Sequence, residues 1–142
     1  MSDGVPIDAA LAAGLLPPYA RSLRMEVARL EGGLPVLVLP FAEATQGRSG
    51  FVHGGAIGGL LEMAAMAGLG CELRRQGDSP RLKPVTITIE FLRGAREQPT
   101  YALARVTRLG RRLANVSAEA WQDDRTRPVA AAWMNIRLAP RR

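Results

Sequence analysis

The chain is poor in the side chains that build covalent or metal-bound frameworks. It has one cysteine, Cys71, and one histidine, His53. A single cysteine excludes an intrachain disulfide and a cysteine cluster for zinc, and a single histidine excludes the usual two- and three-histidine metal sites. Aromatic residues are also scarce, with two Trp, two Tyr and three Phe. That leaves no stacking platform of the kind that holds single-stranded nucleic acid. Lysine is nearly missing, Lys83 being the lone exception among the 19 basic residues. The N-terminus lacks the basic and apolar regions of a signal peptide, so the soluble cytoplasm is the expected compartment.

What is present fits one globular domain. The 142 residues are 47% hydrophobic and 23% charged, the balance of an ordinary soluble chain with a buried core. The whole span 1–142 reads as a single domain, with residues 1–20 as an N-terminal helical segment. The net charge of +6 draws polyanions: nucleic acid, an anionic membrane or a phosphate-bearing small molecule. The densest basic groups are Arg74-Arg75, Arg108 with Arg111-Arg112, and Arg141-Arg142. None forms a long basic block, so neither nucleic acid nor membrane is the expected partner.

Residues Pro6 to Pro18 read as a short apolar helix over Asp8–Leu15, closed by Gly14 and the Pro17-Pro18 pair. Leu23, Met25 and Val27 alternate with Arg24, Glu26 and Ala28 as a strand, and Glu31-Gly32-Gly33 turns into a second, Leu34–Phe41. Ala44–Gly50 is a loop before one long helix, about Gly54–Arg75. The rest is strands: Val85–Phe91 with the clearest period of two, Tyr101–Leu109, Leu113–Trp121 and Val129–Leu138. The short connections predict an antiparallel meander, and the element order predicts an α+β fold, a sheet laid on a helix.

The helix is unusual. Between Ala56 and Cys71 its only charge is Glu62, with Ile57, Leu60, Leu61, Met63, Met66 and Leu69 placed all around it. A helix apolar on every face is buried or in a membrane. A mid-span carboxylate costs roughly 2.5–3.5 kcal/mol on insertion scales, and the uninterrupted apolar run is short, which favours a core helix wrapped by the sheet. Its mouth reads His53-Gly54-Gly55. Glycines there let a ligand approach the first N–H groups, which with the helix dipole can hold an anion or a polarised carbonyl oxygen. They also simply permit tight packing. A carboxylate buried without a partner is costly, and buried ionisable groups gather at active sites.

The run His53-Gly54-Gly55, nine residues ahead of Glu62, resembles the hotdog-fold acyl-CoA thioesterases, in particular the PaaI-type, 4-hydroxybenzoyl-CoA thioesterase-like group. Ile89-Glu90-Phe91-Leu92-Arg93-Gly94-Ala95 is similar to that family's Phe-Leu-Arg-Pro-Ala strand ending, with glycine in the proline position, and Gly110-Arg111 to its Gly-Arg turn. The resemblance implies a hotdog fold, a curved antiparallel sheet around one central helix. It further implies a homodimer or a homotetramer, with active sites at the dimer interface. The Gly54 amide, supported by Gly55, would polarise the thioester carbonyl. Glu62 of the partner subunit would be general base or nucleophile, and His53 would hold the loop or line the pocket. CoA, part of the substrate rather than a cofactor, would lie near Arg93, Gly94, Arg108, Gly110, Arg111 and Arg112, and no metal is implied.

The sequence departs from that pattern twice. The Asn or Gln usual six residues before the His is Gly47 here, with Gln46 one step earlier. The hydroxyl residue found near the acid falls at Met66, or at Pro84 or Val85. Two other readings therefore stand beside acyl-CoA hydrolysis: an acyl-CoA-binding module without turnover, and an acyl-thioester hydratase or dehydratase. The local His-Gly-Gly motif argues against the last.

Overall fold

The computed structural model describes residues 7–140; Pro6 and the Arg141-Arg142 pair lie outside them. The Asp8 carboxylate accepts from the Leu11 amide at 2.8 Å and caps helix α1, Ala9–Gly14. Helix α1 ends at Gly14, ahead of the Pro17-Pro18 pair, as the sequence predicted; that pair also opens a second helix, α2, Pro18–Ser22, an element not predicted from the sequence. Proline suits that first position because its fixed φ is helical and its missing N–H is not needed. Arg24, at φ 58°, closes α2 in the left-handed region while the Met25 amide reaches back to Ala20 at 2.9 Å. Strand β1 is therefore Glu26–Glu31, later than the alternation from Leu23 suggested. Gly32 and Gly33, both at positive φ, turn it into β2, Leu34–Leu39.

The long helix α3 spans Gly54–Arg75, as the apolar run predicted. Strands β3 (Arg81–Phe91), β4 (Thr100–Leu109), β5 (Leu113–Trp121) and β6 (Ala130–Ala139) follow. All six strands form one antiparallel sheet in the order β1-β2-β4-β5-β6-β3. The expected meander holds only for β4-β5-β6. Helix α3 packs against the sheet and delivers the chain from β2 to the opposite edge, so β3 pairs with β6 and the later strands fill the gap between. This is the hotdog architecture, an α+β sheet curved around one central helix.

The face toward α3 carries cross-strand rows set by the register. Ala102, Ala120 and Ala130 form one row, Ala104, Ala118 and Ala132 the next, and Val106, Val116 and Met134 a third. These side chains join Leu60, Leu61, Ala64 and Leu69 of the helix in one core. A Cβ on Gly68 would touch that of Ala104 at 3.4 Å, so the layers meet closely. By length and composition α3 could cross a membrane, but 72% of its most apolar window is buried inside the protein. It is not buried all round. Gly55, Gly58, Gly59, Glu62 and Met66, at helical spacing, form a stripe left open or half-open.

Candidate active site

Two loops build a cleft at the mouth of α3. The segment before the helix is tied down by the His53 amide donating to the Thr45 carbonyl at 2.7 Å and by a bridge between Gln46 and Val52. The segment after β3 is held by the Val52 amide donating to the Ala95 carbonyl at 2.9 Å. The Gln122 side chain clamps it further, accepting from the Arg96 amide and donating to the Arg96 and Gln98 carbonyls. Between these loops lies a cleft of about 510 Å³, lined by Arg48, Phe51, His53, Gly54, Arg93 and Gly94 among others.

His53 is the N-cap of α3. Its Nδ1 accepts the Gly55 amide at 2.8 Å, so the ring proton of the neutral imidazole belongs on Nε2. The Ala56 and Ile57 amides are satisfied by the His53 carbonyl at 3.0 and 3.1 Å. The Gly54 N–H is then the donor of the first helical turn left unpaired, and Gly54 lines the cleft. The Gly55 amide, expected to support Gly54, donates its hydrogen bond to the His53 cap instead.

The other candidates fall in separate places. Glu62 sits on the open stripe, half-buried, with no hydrogen bond or ion pair among the described residues. It is eight residues beyond Gly54, about 12 Å along the axis at 1.5 Å per residue. Gln46 is exposed, and its Oε1 accepts the Gly50 amide at 3.3 Å, within its own loop. A Cβ at Gly47 would come within 3.1 Å of the His53 Cα, which accounts for the side chain missing at that position. Arg93 and Gly94 border the cleft. Arg111 and Arg112 lie instead beside Asp78, Arg137 and Pro140 at the other end of the sheet. Arg108 lines a hollow with Glu72 and Gln76 near the C-terminus of α3, and the Gly110 amide closes its turn onto the Leu113 carbonyl at 2.9 Å.

Sequence reasoning missed Arg48, Phe51 and Arg96. Both guanidinium groups lie over the Phe51 ring, at 4.0 and 4.6 Å from its centroid, a cation–π arrangement that holds two positive charges at the cleft. Phe51 in turn packs on bare backbone: a Cβ at Gly94 would lie 2.7 Å from its ring. That contact explains the glycine where the family pattern has proline. The signal in the sequence is the aromatic three residues after Arg48, but its pairing with Arg96 across forty-five residues needs the fold.

The family model of the thioesterase superfamily matches residues 49–129, a span that takes in most of the cleft lining, α3 and strands β3 to β5. The chain belongs to the thioesterase superfamily. Among solved structures, a protein from Chromobacterium violaceum is 37% identical, covering 86% of this chain and 83% of its own, with a TM-score of 0.68. A putative thioesterase from Ralstonia eutropha JMP134, described as phenylacetic acid degradation-related, is 25% identical over 87% of this chain and 91% of its own, with a TM-score of 0.70. A Haemophilus influenzae thioesterase, 17% identical over 99% and 96% of the two chains, shares the fold at a TM-score of 0.82. No curated protein matches the sequence significantly. Thioester hydrolysis is the activity that this membership supports.

Proposed function

We propose that the protein hydrolyses an acyl-CoA thioester to a free acid and CoA, in a site shared between two copies of the chain. The observation that carries this reading is the pairing of a free Gly54 amide at the cleft with an unpartnered Glu62 on the same helix. A carbonyl oxygen placed at the cleft would accept from Gly54 N–H, and the helix dipole would favour the negative charge that grows there. Glu62 would take a proton from a water that attacks the carbonyl carbon, or attack that carbon itself to form a mixed anhydride, which water hydrolyses to the free acid once CoA has left. The C–S bond then breaks and the CoA sulfur leaves, taking up a proton.

At about 12 Å of separation, Gly54 and Glu62 of one chain cannot serve one carbon, which is why a second copy is needed. The edge strand β3 is the surface for it. It runs eleven residues, and Val85, Ile87 and Phe91 are 59, 37 and 58% exposed. The opposite edge, β1, is six residues long, bulged, and carries Glu26, Arg29 and Glu31, the features that protect an edge from pairing. If β3 meets its copy antiparallel, the Phe91 end of one strand lies beside the Arg81 end of the other. Lys83 and Arg137 face each other at that end, with Arg112 tied to Leu138 nearby. The partner's basic turn would then approach the Arg48, Arg93 and Arg96 side of the cleft, giving the CoA phosphates a cationic path. Pairing of two such dimers would give the tetramer.

One observation favours binding without turnover: the Gln46 carboxamide oxygen is engaged by Gly50. Incubation with a panel of aromatic, aliphatic and hydroxylated acyl-CoAs decides between the two, free thiol being followed spectroscopically. Release from at least one member is expected. Tight binding with no release from any would replace hydrolysis by the binding reading.

A further inference from the structure

Helix α2 places a phenol on the same stripe as Glu62. A Cβ built on Gly59 would collide with the Tyr19 hydroxyl, and its ring carbons lie only 2.9 and 3.0 Å from that point. The hydroxyl thus sits where a side chain at 59 would begin. Residues 59 and 62 are three apart on the helix, so their Cβ positions are about 5–6 Å from each other. An extended glutamate covers most of that gap, leaving room for a hydrogen bond or one water. Neither the Tyr19 hydroxyl nor the Glu62 carboxylate has a hydrogen-bond partner among the described residues. Tyr19 is also held in place from both sides. Pro18 precedes it at the first helical position, and Ala20 after it is fully buried. The Arg21 guanidinium then clips α2 to the Leu16 carbonyl at 2.8 Å. On the other flank of the stripe, Gly54 faces Phe91 and Gly58 faces Ile89. The open face of α3 is therefore a groove between β3 and Tyr19, floored by glycine.

We infer that Tyr19 is a positioning residue for Glu62, its phenol donating to the carboxylate directly or through the water that the carboxylate activates. A carboxylate on a mobile side chain with nothing to hold it presents its oxygens in many directions, and a donor fixed by α2 selects one. The inference rests on the hydrolytic reading above. Tyr19→Phe keeps the ring and removes only the hydroxyl. It should lower kcat by roughly ten- to a hundredfold, the worth of one hydrogen bond to a charged group, with KM and Tm unchanged. Gly59→Ala should evict the ring and lower kcat similarly, without a fall in Tm, because alanine favours the helix interior over glycine. The decisive readout is coupling: in a Glu62→Gln background, Tyr19→Phe should have no further effect. A Tyr19→Phe protein with native kcat overturns the inference, as does an equal loss in both backgrounds. A native protein that releases thiol from no acyl-CoA overturns this inference together with the hydrolytic reading.

Discussion

Replacing Glu62 by Gln separates chemistry from fold because the structure assigns the carboxylate almost nothing to do for stability. It is half-buried on the open stripe of α3 and makes no hydrogen bond or ion pair among the described residues. Glutamate and glutamine have nearly equal helix propensities, so the exchange should stay within about 0.5 kcal/mol of stability. For a domain of this size that is a change in Tm of about 2 °C or less. Activity should respond on another scale. The amide preserves shape but cannot take a proton or attack a carbonyl, and general-base catalysis is typically worth 10²–10⁴-fold. A hundredfold loss of kcat corresponds to about 2.7 kcal/mol of transition-state stabilisation. The assay is thiol release under saturating acyl-CoA, beside thermal melts and calorimetric titration with the same ligand. Expected are a collapse of kcat, retained binding and an unmoved melt. Native turnover of every acyl-CoA by the variant would refute the role of Glu62. A loss of activity that merely tracked a falling Tm would show the residue to be structural.

Light scattering should find the native protein at twice 15.3 kDa or more, and Ile87→Lys, which sets a charge on the exposed face of β3, should shift it toward monomer and abolish turnover. A native monomer at micromolar concentration would remove the shared site. His53→Ala, by deleting the cap on Gly55, should cost about 1 kcal/mol and lower Tm by a few degrees, while His53→Asn, a strong N-cap, should restore most of it. Equal melts for all three proteins would show that the His53 cap is not formed in solution. Burial pushes the Cys71 thiol up from its ordinary range, with the Arg74 and Arg75 charges opposing more weakly. Little thiolate exists at neutral pH, so Cys71 should resist alkylation until the protein is denatured. Labelling of the folded protein at the rate of a free thiol would contradict the packing around α3.

The helix and most strands were legible because their signals are local. Glycine at 54 and the last basic pair bound α3, and the alternation from Val85 to Phe91 marks β3 whatever it pairs with. The strand order was not legible, since nothing in β3 itself says that it joins β6 rather than β4. The uniform apolar character of α3 misled in a specific way. Besides Glu62, its open stripe is made of Gly55, Gly58, Gly59 and Met66, uncharged residues that do not mark an exposed face in the sequence. At the site, the mouth of the helix was readable as a short motif, but the capping of Gly55 by His53 depends on a side-chain rotamer. The Arg48–Phe51–Arg96 group joins two loops on either side of β3 and α3, and Tyr19 reaches Gly59 from forty residues upstream. Contacts of that range exist only once the sheet has closed over the helix.

The two alanine rows beneath α3 bear on how this protein can vary. Alanine has no rotamers to freeze, so six positions of the sheet join the core at almost no side-chain entropy cost. With so little depth between the layers, there is also no slack. Enlarging Ala104 to valine, opposite Gly68, would have to push the helix outward rather than shift a neighbouring side chain. Any such displacement would carry Gly54 and Glu62 with it, because both ride on the same rigid rod. Sequence drift in the middle of the sheet is thereby coupled to the alignment of the candidate site, and the small residues there act as a spacer that sets its dimensions.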